Sequence, residues 1–196
     1  MSDLNLLSVL VPEDWVTLPG AGTSLSRWSR ATAEELAARG RAAGHPMDTK
    51  PLRADLKAWA KDSRSRAPLS ASLYYPDGFE EALALVEVQV FVPDETLPVI
   101  TLDWLAETFG ASDFGPPEVT RVEVPTGPAV RIRQNLAMES AGRRTPGVLR
   151  ETLTYGMLPH GSTSAVMLMA SWSAPGVAGE LEAVVDEIAR RLEASV

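Results

Sequence analysis

Two hydrophobic periods divide the chain. Up to about Pro68 apolar residues recur at steps of three and four, and beyond it they mostly alternate with polar ones. The opening segment "VPEDWVTLP", residues 11 to 19, reads as a turn feeding a short strand anchored by Trp15, with "LSRW" continuing that strand pairing. Residues 31 to 43, "ATAEELAARGRAA", predict a helix with a thin apolar stripe around Leu36 and a capping-box spacing at Thr32 and Glu35. Gly44 and Pro46 end it. A second helix, from about Pro51 to Arg66, places Leu52, Leu56, Trp59 and Ala60 on one face and Arg53, Lys57, Lys61 and Arg64 largely elsewhere.

The alternating half begins with "LSASLYYP", where Leu69, Ala71, Leu73 and Tyr75 alternate with Ser70, Ser72 and Tyr74. "ALALVEVQVFVP" continues with Ala84, Val86, Val88, Val90 and Val92 on one face and Glu87 and Gln89 on the other. "LPVITLDWLAETFG" returns to helical spacing through Leu102, Leu105, Ala106 and Phe109, with Gly110 as terminator. Strands resume at 119 to 124 and 129 to 138, the latter alternating Val130, Ile132, Leu136 and Met138 with Arg131, Arg133 and Asn135. "ESAGRRTPG" reads as a polar hairpin loop.

Leu149 to Met157 is a further half-buried strand, and Ala165 to Trp172, apolar on both faces apart from Ser171, predicts a central strand covered by helices. "LPHGST" between them carries hairpin residues. The closing helix sets Leu181, Val184, Val185, Ile188 and Leu192 opposite Glu182, Asp186, Glu187 and Arg190. These elements predict an α+β fold: an antiparallel sheet covered by helices, an α/β/α sandwich, with an N-terminal helical region. The expected organisation is one domain over 1–196, with a basic helical subregion at 29–66 attached to a main body at 67–196.

A chain of 196 residues with 45% hydrophobic content can bury a real core. Cysteine is absent, which excludes disulfides, thiolate nucleophiles and every cysteine-ligated metal site. The net charge of -8 gives no attraction to phosphate backbones or anionic lipid. That average conceals an asymmetry, since residues 27 to 66 hold ten basic and five acidic side chains. A basic face on an acidic body points to a protein partner more than to nucleic acid. No window approaches the apolar length of a membrane span, so membrane insertion is not expected. The amino terminus "MSDLNLLSVLVPEDW" lacks the basic start of a secretory signal, and the expected location is cytoplasmic.

No zinc-protease, deaminase, dinucleotide or phosphate-loop spacing occurs, and no cofactor or metal is expected. "GAG" at 20 to 22 lacks the later glycine of a Rossmann loop. His160 with Ser162 or Ser164 and an acid could form a hydrolytic triad, yet the constrained G-x-S-x-G elbow is missing and a turn histidine is poorly preorganised. No catalytic residue is assigned. His45 lies in the break between helices and reads as an ordinary residue of that break with no functional role. The residues expected at an interface are Trp28, beside two arginines, the basic series Arg53, Lys57, Lys61 and Arg64, the amphipathic Tyr74 before a turn, and His160.

The start "VPEDWVTLP", the intercalated "LDWLAETFG" helix, the hairpin into "TSAVMLMASWSAPG" and the closing "ELEAVVDEIARRL" together resemble the Mog1/PsbP-like fold, particularly the actinobacterial LpqN-type proteins. The likeness covers residues 67 to 196 and the first strand. It implies an α/β/α sandwich and action through protein contacts or as an accessory subunit, with no shared catalytic residue to place. The chain departs from the LpqN type in lacking a lipoprotein signal and in adding the basic stretch at 27 to 66.

The leading expectation is a non-enzymatic accessory or adaptor protein that binds another protein through the basic helices or the edge of the sheet. A small-molecule module, with a pocket between sheet and helix lined by Leu56 and Trp59, is the alternative, and a hydrolase using His160 the third. Self-association into a homo-oligomer is open.

Overall fold

The computed structural model describes residues 3–111, 114–138 and 148–196. The hairpin loop expected at 139–147 lies outside the described residues, as does part of the "ASDFGPPE" loop. The fold is an antiparallel β-sheet of seven strands flanked by α-helices, an α/β/α arrangement. Nine strands and four α-helices follow in chain order among the described residues: β1 Leu6–Ser8, β2 Val16–Thr17, α1 Leu25–Ala42, α2 Thr49–Arg66, β3 Ser70–Tyr74, β4 Ala84–Phe91, α3 Leu102–Phe109, β5 Glu118–Val124, β6 Gly127–Met138, β7 Val148–Met157, β8 Ala165–Trp172, α4 Ala178–Arg191 and β9 Glu193–Ser195. The sheet order is β2-β3-β4-β8-β7-β6-β5, and β1 with β9 forms a separate pair. The chain divides into two compact units, residues 11–85 and residues 1–10 with 86–196.

In the 11–85 unit, α1 begins six residues before the predicted start, so "LSRW" is helix and not strand. Thr32 is then buried in mid-helix, where its hydroxyl cannot cap, and Ser24 takes the N-cap position without a side-chain bond. The C-terminus ends as the glycine predicts: His45 N–H donates to Gly40 O and Gly44 N–H to Arg41 O, the two bonds of a Schellman motif, with Gly44 at φ +82°. A Cβ on Gly40 would lie 2.5 Å from the His45 carbonyl, so only glycine lets the chain fold back against α1. Asp48 caps α2 by accepting from Lys50 N–H at 2.9 Å. Leu36, Leu52, Leu56, Leu73, Tyr75 and Leu85 fill the core. Leu69, placed on the buried face by alternation, is 62% exposed because β3 starts only at Ser70. Ser72, expected on the wet face, is buried as well.

In the other unit, β5, β6, β7 and β8 form antiparallel ladders, with Arg131 opposite Tyr155, Asn135 opposite Glu151 and Glu151 opposite Trp172. One face carries Val130, Ile132 and Met167 under α3, and Gly156 leaves room for Leu105, whose Cδ1 would be 3.1 Å from a Cβ there. β8 is buried as its doubly apolar pattern predicts. The register of β6 was expected to point Arg131 and Arg133 at water, and Glu182 and Asp186 were expected on the wet side of α4. Instead Arg131 bonds Glu182 and Asp186, and Arg133 bonds Glu151 at 2.5 Å and Glu182 at 3.5 Å. A helix laid across a sheet covers more of itself than its apolar stripe, and its flanks can meet charges rising from the strands.

Candidate functional site

Two helices of the 11–85 unit build the site. α1 contributes Arg30, Ala33 and Glu34, and the first half of α2 contributes Thr49, Lys50, Arg53, Ala54 and Lys57; together they line a groove of about 480 Å³. The alanines explain why the groove is there, since small side chains on the facing flanks leave space while Leu36, Leu52 and Leu56 pack the helices beneath. Four cations, Arg30, Lys50, Arg53 and Lys57, face one carboxylate, Glu34. Among the described residues none of the four cationic heads engages in an ion pair.

Other contacts fix the helices around the groove. Asp55 of α2 accepts from Tyr75 Oη at 2.6 Å and from Ala82 N–H at 2.9 Å. Burial first, and then that bond to Asp55, push the Tyr75 phenol above its ordinary value. Asp48 N–H donates to Glu80 Oε1 at 2.5 Å, holding the start of α2.

The expected interface residues separate in space. Arg53 and Lys57 line the groove, whereas Lys61 is exposed one turn further on, outside it. Arg64 has a different task, because its Nη2 donates to Gly20 O and Thr23 O, both at 2.8 Å, and ties the end of α2 to the loop before α1. Trp28 is half-buried against the core cluster, and Tyr74 lies under Trp15 with ring centroids 5.4 Å apart. His160 is exposed on the turn, its N–H donating to Thr126 O. The hydroxyls of Ser162 and Ser164 both donate to Asp3 Oδ1 at 2.7 Å, and neither meets His160. Among the described residues no group of three or more histidines and carboxylates could hold a metal ion, and no helix is long and apolar enough to cross a membrane.

Arg30 and Lys50 were missed by sequence reasoning. Each stands apart from the basic series of α2, Lys50 at its start and Arg30 on another helix, and only the α1–α2 packing brings them together. Leu56 and Trp59, expected to line a pocket between the sheet and the 51 to 66 helix, are instead packed into the core cluster, Leu56 fully buried and Trp59 partly so.

No family model matches the chain, and no curated protein matches it in sequence. A solved structure does: LpqN, involved in cell envelope biogenesis of Mycobacterium tuberculosis, is similar over 97% of this chain and 83% of its own, with a TM-score of 0.50 and 12% identity. The likeness shows the Mog1/PsbP-like fold, and at that identity the fold alone. Since only 3% of the chain is left uncovered, the helical stretch at 27 to 66 belongs to the shared fold and is not an addition to it. The expected cytoplasmic location is corrected by the same finding, because LpqN, a solved protein of this fold, is involved in cell envelope biogenesis. The amino-terminal pattern on which that expectation rested has a structural reason: Asp3 is held by Ser162, Thr163 and Ser164, and β1 pairs with β9. Its sequence answers to strand pairing and says nothing about an address.

Proposed function

We propose that this protein is a non-enzymatic accessory protein that binds an acidic segment of a protein partner in the α1–α2 groove. The observation that carries the reading is the set of four unpaired cations, Arg30, Lys50, Arg53 and Lys57, around one open cleft. Several arginines elsewhere do meet carboxylates: Arg39 with Asp77, Arg121 with Asp103, Arg131 and Arg133 with carboxylates of β7 and α4. Leaving four like charges adjacent costs electrostatic self-repulsion that an acidic ligand relieves. The likeness to LpqN supports a setting in envelope biogenesis for such a role.

The test is calorimetric titration with a blocked glutamate-rich peptide, on the native protein and on Arg53→Glu/Lys57→Glu. Loss of roughly tenfold or more in affinity, equal to about 1.4 kcal/mol, is expected for the double variant. Lys61→Glu, outside the groove, should change affinity by less than about threefold. Equal losses in both variants, or none in either, would count against the groove.

A further inference from the structure

A second groove lies on another flank of α1, and its chemistry is opposite. It has a volume of about 450 Å³ and runs between α1 and β2, with Trp15, Val16 and Thr17 on one wall and Trp28, Glu35 and Leu36 on the other. Glu13, Asp14 and Glu35 bring three carboxylates to it. Among the described residues none of the three carboxylates is in an ion pair or a side-chain hydrogen bond. Arg39 is the only cation of the lining, and its guanidinium is already spent on Asp77 and on the carbonyls of Asp14 and Tyr75.

The strand beside this groove has an open side. β2 ends the sheet order, and it pairs with β3 through Val16 opposite Leu73 and Thr17 opposite Ser72. Leu18 N–H donates to Ala71 O at 2.8 Å, which makes Leu18 and Ala71 a hydrogen-bonded pair. Hydrogen-bonded and non-bonded pairs alternate along an antiparallel ladder, so Thr17 is a non-bonded position. Its N–H and C=O therefore point away from β3, toward the free edge, and Thr17 is exposed. An unpaired donor and acceptor on an edge strand are a template for one more strand.

We propose that the β2 edge and its groove bind an extended peptide segment that presents a lysine or arginine. The peptide backbone pairs with Thr17, and its cationic side chain lies against the half-buried Trp28 indole within the field of Glu13, Asp14 and Glu35. Indole faces attract a cation and suit an amphipathic side-chain stem, and the carboxylates exclude an acidic residue at that position. The proposal is separate from the α1–α2 groove in both site and charge.

The probe is a blocked hexapeptide alternating valine and threonine with one central lysine, compared with the same peptide carrying glutamate. Titration calorimetry gives the affinity, and amide and indole chemical shifts of isotopically labelled protein give the location. The lysine peptide should bind at least about tenfold more tightly than the glutamate peptide and shift the Thr17 amide and the Trp28 indole. Thr17→Pro removes the outward N–H while sparing every β2–β3 bond, and should weaken binding about tenfold or more. Because Trp28 also packs on the core, the exposed Glu35→Lys is the companion variant, and a loss of about fivefold is expected for it. Equal affinity for the two peptides, binding untouched by both Thr17→Pro and Glu35→Lys, or no binding at millimolar peptide would overturn the proposal. The acidic-peptide titration of Arg53→Glu/Lys57→Glu is independent of these results, so either site can fail alone.

Discussion

The Tyr155 hydroxyl donates to Asp186 Oδ1 at 2.7 Å, and Arg131 Nε reaches the same oxygen at 3.1 Å. One carboxylate of α4 therefore fastens the helix to two neighbouring strands. Burial works against the Arg131 charge, yet its bonds to Asp186 and Glu182 outweigh that cost and hold its pKa above the ordinary value. Burial and the bond to Asp186 raise the Tyr155 phenol as well.

Asp186→Ala leaves Arg131 with Glu182 alone and the phenol without an acceptor. A loss of about 2 kcal/mol is expected, read as a lower urea midpoint at unchanged slope. The pH dependence follows from the raised Tyr155 value. Its stabilising contribution is complete below the ordinary 10.0 and is lost as pH rises through the folded value, so phenolate absorbance from Tyr155 should lag behind a free tyrosine. An ordinary titration of all three tyrosines would contradict this account.

Asp3 makes the complementary case at acid pH. Thr163 N–H, the Ser162 and Ser164 hydroxyls and the Thr163 hydroxyl all donate to its carboxylate and lower its pKa from the ordinary 3.8. A lowered value means the contribution is present above 3.8 and lost as pH falls below it toward the folded value. Amide-exchange protection of Leu6 to Ser8 should fall on acidification through that range, and Asp3→Asn should lower it already at neutral pH. Protection unchanged in Asp3→Asn would show that β1 is held by its β9 ladder alone.

Ala67 ends α2 in the left-handed region at φ 50°, ψ 49°, the one described non-glycine residue with positive φ. Its Cβ crowds the backbone there, and glycine removes the strain. Ala67→Gly should stabilise the protein by about 0.5 to 1 kcal/mol, measured as a rise in Tm. A fall in Tm would show that unfolded-chain entropy outweighs the relief.

Much of the fold was legible because it is written in short-range periods. The α2 face with Leu52 and Leu56, the doubly apolar β8 and the Leu181 to Ile188 stripe of α4 each buried as their spacing required. The start of α1 was not legible, since Ser24 makes no side-chain cap and Thr32 with Glu35 imitates a capping box about two turns inside. The pairing of β1 with β9 was equally hidden, because it joins residues from opposite ends of the chain and three-residue strands carry no period of their own.

For the candidate sites the division is sharper. The sequence by itself determined that the 27–66 segment is basic and that Arg53 and Lys57 share a helix. Only the tertiary structure decided which charges stay unpaired: Arg64 is consumed by loop carbonyls and Arg131 by α4, while Arg30 and Lys50 join Arg53 and Lys57 across a helix pair. Charge is a property of the residue, but whether it meets a counter-charge depends on strand register and helix docking, which bring together positions far apart in sequence.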